Sequence, residues 1–198
     1  MEDGRIAEEV AIFAPDGYGQ LLFGQLGALL KRQEIPVTAI DCFATARGPG
    51  SFTGVRVGLA AMKGLAFATS KPVCAIPNLE AIASLGSAPM RAAFIDARRQ
   101  QIFAAIYDEN LNVVSPEVVT SLPLWLSGIG DRDIEFLSTD LTGYDLGSRP
   151  AKSVGNCLAG VIGQLSYRRF TNGLAQHSSE LDANYVRRAD AELFWEDK

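Results

Sequence analysis

A glycine-rich turn, Arg47-Gly48-Pro49-Gly50, joins an apolar run to a long helix-like segment, and it constrains the fold more than any other part of the chain. The apolar run, residues 37–46, is short and partly β-branched, which predicts a buried strand. Residues 51–70 predict the helix. Residues 73–76 and 78–85 then predict another buried strand and another helix. Strands that alternate with helices indicate an α/β fold.

The chain before this unit predicts one more strand and one more helix. Residues 5–13 favour a strand, although their alternation is imperfect, and Ala14-Pro15-Asp16-Gly17 has the composition of a turn. Residues 18–33 predict a helix that ends before Pro36, because leucines recur along one helical stripe. The stripe consists of Leu22, Leu26, Leu29 and Leu30.

The pattern changes after residues 86–89, which we take as a domain boundary between a first lobe, residues 1–88, and a second lobe, residues 89–198. The second lobe begins with a predicted hairpin, whose strands cover residues 92–95 and 102–107. Residues 108–150 look loop-rich, and helical spacing resumes over residues 154–170. The tail from about residue 181 is expected to pack back on the first lobe.

Charge and composition exclude several classes of function. The chain has 18 Lys and Arg against 23 Asp and Glu, a net charge of -5, which argues against the broad basic face that phosphate backbones require. No run is long enough to span a bilayer, and the acidic start lacks the apolar core of a secretory signal. These features predict a cytoplasmic protein that meets nucleic acid, if at all, only through a complex. Cys42, Cys74 and Cys157 are interpreted as structural residues.

A catalytic or metal site finds little support in the sequence. The chain has one histidine, His177, in a polar stretch without a second ligand at helical spacing, which favours an exposed loop or helix end. No Gly-x-Ser-x-Gly sequence is present. Asp96-Ala97-Arg98-Arg99 is interpreted as a solvated turn with a local ion pair. We therefore assign no catalytic residue and no metal site.

The glycine turn also suggests a phosphate site, because it leads into the N-terminus of a helix. The spacing Gly48-x-Gly50-x-x-x-Gly54 is one residue too long for the dinucleotide fingerprint. Asn78, the expected N-cap of the next helix, stands where that fingerprint needs a carboxylate. We favour a helix capped by Ser51 with glycines at positive φ. Anion binding by Arg47, Gly48, Gly50 and Ser51 stays open.

The body of this helix is unusual because it contains several small residues. Gly54, Gly58, Ala61 and Ala68 fall near one face, with Gly64 beside it. Each glycine costs a helix about 0.8–1 kcal/mol relative to alanine, so another backbone is expected to approach closely. The other faces are apolar, which indicates burial on two sides. One side is the sheet of its own lobe, and the other is equally well a second domain or another protein.

Three stretches resemble the TsaB (YeaZ) family of bacterial threonylcarbamoyladenosine synthesis. Residues 47–66 are similar to the family signature, Ile95-Asp96-Ala97-Arg98-Arg99 to its second-lobe hairpin, and Tyr185-Val186-Arg187 to its terminal Tyr-Leu-Arg. The resemblance implies an α/β fold that is actin-like and sugar-kinase-like (ribonuclease H-like), with two related lobes. Members usually open with a strand carrying Asp-Thr-Ser. This chain starts at the point that corresponds to the following strand, so we expect a first lobe incomplete at its N-terminus.

The resemblance also implies a function, that of a non-catalytic subunit that binds TsaD, the enzyme that transfers threonylcarbamoyl to the adenosine beside the tRNA anticodon. TsaE, an ATPase, joins the two, and ATP and a metal ion belong to that partner complex, so no cofactor is expected on this chain. The first two helices, residues 18–32 and 51–69, would form the contact with TsaD or, in its absence, a homodimer. The residues carried over are Tyr18, Leu22, Leu26, Leu29, Ser51, Phe52, Gly54, Val55, Gly58, Leu59 and Met62. The alternatives are an ATP-binding enzyme of the kinase-like fold and, more remotely, a peptidase.

Overall fold

The structure is a computed structural model that describes residues 1–12, 19–130, 132–184 and 186. Five α-helices, seven strands and two 3-10 turns are present in these residues. The helices are α1 (Gly19–Arg32), α2 (Phe52–Thr69), α3 (Asn78–Ala83), α4 (Leu122–Ile129) and α5 (Ala159–Thr171). The strands are β1 (Phe43–Ala46), β2 (Val73–Ile76), β3 (Met90–Asp96), β4 (Ile102–Asp108), β5 (Val113–Thr120), β6 (Glu135–Ser138) and β7 (Ala151–Ser153). The 3-10 turns are Val37–Ala39 and Ser178–Glu180.

The strands form two sheets. β1 and β2 pair in parallel, with Phe43 opposite Val73 and Ala46 opposite Ile76. The larger sheet has the order β5-β4-β3-β6-β7, in which β3, β4 and β5 are antiparallel and β6 and β7 join in parallel. All four residues of β2 are buried, as its unbroken apolar sequence predicts for a parallel strand. The predicted α/β order and the hairpin are confirmed.

Helix α5 comes from the second half of the chain but packs on the strands of the first half. Ile162 and Leu165 of this helix share a core with Ile76 and Ala81. The guanidinium of Arg169 donates hydrogen bonds to the Ala75 carbonyl at 2.9 Å and to both carboxylate oxygens of Glu80 at 2.7 Å. The sheet pairing changes between β2 and β3, on either side of residues 86–89, yet α5 crosses this division; the domain boundary stays a prediction.

The chain after α5 runs back along β2 and α2. Gln176 and Val73 exchange two backbone hydrogen bonds of 2.9 Å. Leu181, 2% exposed, lies in a core cluster with Phe43 and Leu59. The amide of Asn184 donates to the Arg47 carbonyl at 2.8 Å. The segment therefore contacts β2, the α2 core and the glycine turn.

The predicted strand over residues 5–13 is wrong for its described part. Residues 5–12 form no strand, and Glu2 and Arg5 make an isolated antiparallel bridge. The physical reason lies in the consecutive carboxylates that interrupt the alternation. Glu8 accepts hydrogen bonds from Arg32 and Gln33 at the end of α1, and Glu9 accepts one from the Gly160 amide in the first turn of α5. Residues 13–17, including the predicted turn, lie outside the described residues.

Four other boundaries differ from the sequence predictions. The strand predicted from residue 37 begins at Phe43, after the 3-10 turn. The region predicted to be loop-rich contains β5, α4 and β6. The helix predicted from residue 154 begins at Ala159, because Gly155 has a positive φ of 74° that a helix does not accept. Asn78 is the first residue of α3, and Pro77 is its N-cap.

Among the described residues, none of the helices combines the length and the apolar character needed to cross a bilayer. Cys74 is buried and Cys42 half-buried in the neighbourhood of β1 and β2, whereas Cys157 is exposed. All three thiols are free.

Candidate partner-binding surface and cleft

The glycine turn is fixed by backbone contacts on both sides. The Gly48 carbonyl accepts a hydrogen bond from the Asn78 amide at 2.8 Å, and the Asn78 side chain donates to the Pro49 carbonyl at 2.9 Å. Gly48 has a φ of 97°, and a Cβ atom there would lie 3.2 Å from the Asn184 carbonyl oxygen. A Cβ on Gly50 would lie 3.2 Å from Nδ2 of the Asn78 side chain. The positive φ therefore favours glycine at Gly48, whereas Gly50 has no positive φ and a side chain there would have to displace the Asn78 side-chain amide.

The turn delivers the chain into a capped helix. The Ser51 hydroxyl accepts a hydrogen bond from the Gly54 amide at 3.4 Å, which confirms the predicted N-cap of α2. The Arg56 guanidinium lies over the Phe52 ring, 3.7 Å from its centroid. At the other end, the helix stops at Ser70, which adopts a left-handed conformation with φ 54°.

Arg47 lies among charged groups of the larger sheet. Burial raises the pKa of the Glu117 carboxyl on β5, while the Asn184 amide and the Arg47 charge oppose that rise. Burial also raises the pKa of Tyr107 on β4, and the Arg47 charge again acts in the opposite direction. The Arg47 Nε atom is buried without a hydrogen-bond partner among the described residues. Anion binding by Arg47 and the turn stays a prediction.

A cleft of about 1200 Å³ opens beside the turn. Its lining includes the glycine turn with the first residues of α2, and also the β3–β4 turn. Arg98 stands in that second turn with a φ of 63°, and its guanidinium pairs with Asp96 at 3.3 Å. The ion pair predicted from the sequence at this turn is confirmed.

Helix α2 has one face that packs on its own lobe. Leu59, 6% exposed, lies against Phe43 and Val73, and Val55 and Met62 pack partly against the same cluster. A Cβ on Gly58 would lie 3.2 Å from the Thr45 hydroxyl oxygen, so this glycine permits the close approach of the helix to β1. Gly58 and Leu59, both expected to bind a partner, therefore face this chain's own sheet.

The opposite face of α2 is exposed and carries small and apolar residues, with Arg56 and Lys63 beside them. Ala60, Gly64 and Phe67 recur at spacings of four and three residues, and Phe67 is 76% exposed. A Cβ on Gly64 would meet no atom within 4 Å. Phe52 at the start of the helix is 51% exposed. The sequence analysis did not single out Ala60, Gly64 and Phe67 as partner residues, although their i, i+4, i+7 spacing was a signal that could have found them.

Helix α1 carries apolar residues but buries none of them. Leu22, Leu26 and Leu29 are half-buried, and Phe23 is 57% exposed. At its C-terminal end, Arg32 forms an ion pair with Glu8. Tyr18 lies outside the described residues. The leucine stripe thus lies on a helix that no described part of the chain covers completely.

The histidine lies away from the cleft. His177 is exposed, and its Nδ1 atom is 2.7 Å from the Ser179 hydroxyl oxygen, which confirms the predicted position at a loop or helix end. No group of three or more His, Cys, Asp or Glu residues with the geometry to hold a metal ion occurs in the described part of the chain.

Comparison with known proteins gives a family match over the first part of the chain. Residues 19–128 match the family model described as TsaD: tRNA N6-adenosine threonylcarbamoyltransferase. That range includes α1, the glycine turn, α2 and the hairpin. It therefore contains both of the exposed apolar helix faces.

Individual relatives carry a second family name. The chain is 29% identical over 146 residues to the tRNA threonylcarbamoyladenosine biosynthesis protein TsaB of Bacillus subtilis, covering 70% of this chain and 63% of that protein. It is 42% identical over 79 residues to TsaB of Haemophilus influenzae, covering 38% of this chain and 34% of that protein. The chain thus spans less than two thirds of the length of these curated relatives.

A solved structure shows the same fold. YeaZ from Pseudomonas aeruginosa superposes with a TM-score of 0.74 at 24% identity, over 85% of this chain and 84% of that chain.

Proposed function

The chain belongs to the TsaD family of tRNA N6-adenosine threonylcarbamoyltransferases, as a TsaB (YeaZ) member, and we propose on this premise that it takes part in threonylcarbamoyladenosine synthesis as a non-catalytic subunit that binds TsaD. The predicted resemblance to the TsaB family is confirmed, as is the predicted actin-like, ribonuclease H-like α/β fold. The role as a subunit goes beyond these findings and is supported by the exposed helix faces.

The proposal rests on helices α1 and α2, which both carry apolar side chains that the described part of the chain leaves exposed to solvent. Phe67 on α2 and Phe23 on α1 are each more than half exposed. Full burial of such a side chain contributes about 1.5–3 kcal/mol, so two of them supply a large part of the binding free energy of a micromolar complex. Ala60 and Gly64 would allow a partner helix to come close to the α2 backbone between these anchors.

The division of labour in the proposed complex follows from charge. With a net charge of -5, this chain is a poor surface for tRNA, so we assign tRNA to the assembled complex. ATP and the metal ion are assigned to the partner proteins TsaD and TsaE. In the absence of TsaD, the same helix faces would pair two copies of this chain. The proposed setting is the cytoplasm.

Reconstitution of the modification tests this function. TsaD and TsaE of the same organism, with the enzyme that supplies the threonylcarbamoyl adenylate, are incubated with unmodified tRNA, and modified adenosine is measured by mass spectrometry with and without this chain. We expect modification only when the chain is present. Equal modification in its absence would exclude the proposed role, and modification by this chain without TsaD would show that it is itself the enzyme.

A further inference from the structure

Two of the three free cysteines come together where β1 begins, although 32 positions separate them in the sequence. The Cys42 thiol points toward the Cys74 Sγ atom at 3.8 Å and toward the Phe43 carbonyl oxygen at 3.4 Å. Cys74 is the second residue of β2 and is 2% exposed, whereas Cys42 precedes β1 and is only half-buried. Cys42 is thus the member of the pair that a small solute approaches from solvent.

Contacts beside the pair hold the two strand ends together. The Phe43 amide donates a hydrogen bond to the Pro72 carbonyl at 3.0 Å, and Lys71 forms an ion pair with Asp41 at 3.8 Å. A disulfide places its sulfurs about 2.05 Å apart, so the two sulfurs must approach each other by about 1.8 Å. Cys42 lies outside the β1–β2 ladder, so a change of its side-chain rotamer and a small shift of the residues before β1 supply this movement.

The surroundings give the two sulfurs different acidities. The hydrogen bond from Cys42 lowers the pKa of the Cys74 thiol, burial opposes this, and the Arg169 charge lowers that pKa further. The same hydrogen bond and burial raise the pKa of Cys42. In the reactive form of the pair, Cys74 is therefore the thiolate and Cys42 is the thiol that donates to it.

We propose that Cys42 and Cys74 form a peroxide-reactive dithiol site, which closes to a reversible disulfide between the start of β1 and the middle of β2. The bond joins residues on either side of α2, so the loop that it closes contains the glycine turn and the whole helix. Joining the ends of this loop lowers the entropy of the unfolded chain, so the oxidised form unfolds less readily than the reduced form. The inference concerns the isolated chain and does not depend on TsaD.

The reaction is a two-electron oxidation of the pair by hydrogen peroxide. The Cys42 sulfur attacks one peroxide oxygen while its proton passes to the Cys74 thiolate. The O–O bond breaks, hydroxide leaves, and Cys42 becomes a sulfenic acid. The Cys74 sulfur then attacks the Cys42 sulfur, the S–O bond breaks, and the departing hydroxide takes the Cys74 proton and leaves as water. One peroxide is thereby reduced to one water and one hydroxide, and a small thiol such as glutathione reverses the bond by disulfide exchange.

Thiol titration and intact-mass measurement of Cys157→Ser give the first test, because this variant removes the third, exposed cysteine. With a small molar excess of hydrogen peroxide, we expect the folded monomer to lose both thiols together and two hydrogen atoms in mass, with no oxygen retained. Digestion should yield a peptide cross-linked between Cys42 and Cys74, and dithiothreitol should restore both thiols. A disulfide between two copies, or oxygen retained on Cys42 while Cys74 stays a free thiol, would overturn the proposal.

Two matched variants in the Cys157→Ser background separate the roles of the sulfurs. Cys74→Ala leaves Cys42 alone, so its sulfenic acid should persist and be trapped by dimedone. Cys42→Ala leaves only the buried thiol, and we expect peroxide to consume Cys74 at least about tenfold more slowly than when Cys42 is present. Equal rates of Cys74 loss with and without Cys42 would contradict the proposed order of steps.

Urea unfolding of the Cys157→Ser chain gives a further test in which both cysteines of the pair stay in place. The fold holds the two sulfurs closer than the unfolded chain does, so folding and disulfide formation favour each other. We expect the midpoint of the oxidised form to lie at least about 0.5 M urea above that of the reduced form. An equal or lower midpoint in the oxidised form would show that the fold resists the bond, and the proposal would then be wrong.

Discussion

Replacement of Gly64 by alanine tests how the two faces of α2 are used. Gly64 lies in the interior of an 18-residue helix, and a Cβ atom there would meet no other atom within 4 Å. Alanine in a helix interior is more favourable than glycine by about 0.8–1 kcal/mol. Because nothing in the described chain opposes the added methyl group, we expect the whole gain to appear in the free energy of unfolding.

Gly58→Ala is the matched control, since it makes the same substitution six residues earlier on the same helix. There the Cβ would lie 3.2 Å from the Thr45 hydroxyl oxygen, a tighter contact than side chains normally make. Thr45 is buried on β1 and has little room to move. The gain in helix propensity is therefore offset by displacement of β1, and we expect Gly58→Ala to leave stability unchanged or lower it.

Urea unfolding followed by circular dichroism gives the free energy of unfolding of both variants. In thermal unfolding, Gly64→Ala should raise the midpoint by about 2–4 °C, the shift expected for about 1 kcal/mol in a chain of this size. The packing account of α2 would be refuted if Gly64→Ala destabilised the monomer, or if Gly58→Ala stabilised it by as much as Gly64→Ala.

Two further predictions concern the buried polar contacts of Arg169 and Glu117. Arg169→Met removes the hydrogen bonds to Glu80 and to the Ala75 carbonyl and leaves the nearly buried Glu80 carboxylate unpaired. We therefore expect the free energy of unfolding in urea to fall by about 2–4 kcal/mol, and Glu80→Gln in the same chain to restore part of it. No recovery in the double variant would contradict this explanation. Burial raises the pKa of the Glu117 carboxyl, so the folded chain holds that proton more tightly than the unfolded chain does. The protonated carboxyl therefore stabilises the fold below the ordinary glutamate pKa of 4.5, and this stabilisation is lost as the pH rises through the raised pKa. Glu117→Gln, which still offers an oxygen to Asn184, should reduce the loss of stability between about pH 4 and about pH 7, and identical pH dependence in parent and variant would exclude Glu117 as its source.

The elements best predicted from the sequence are those with local start and stop signals. Ser51 marks the start of α2, and Pro72 follows its end, so the helix could be placed to within one residue at each end. The unbroken apolar sequence of β2 was likewise sufficient to predict a buried strand at residues 73–76. The strand predicted over residues 5–12 was wrong because the hydrogen-bond partners of Glu8 and Glu9 lie about 25 and 150 positions away in the sequence. No local sequence pattern indicates partners at such distances.

The arrangement of the site was less predictable for a different reason. Helix α2 is apolar on nearly all sides, so periodicity could not distinguish the face on the sheet from the exposed face. Thr45 resolves this ambiguity, since it lies against Gly58 and leaves Gly64 outward. The cleft combines Gly50, Arg98 and Asn184, which come from three distant parts of the sequence. Only the tertiary structure brings them together.

The central claim, that this chain binds TsaD through the exposed faces of α1 and α2, is tested most directly by isothermal titration of purified TsaD with three variants. Phe67→Glu and Phe23→Glu place a charge on each proposed face, while Leu124→Glu changes a comparably exposed residue on α4. The account predicts that each of the first two variants weakens binding at least about tenfold, or about 1.4 kcal/mol, and that Leu124→Glu binds as the parent does. Unchanged affinity of both Phe67→Glu and Phe23→Glu would contradict it.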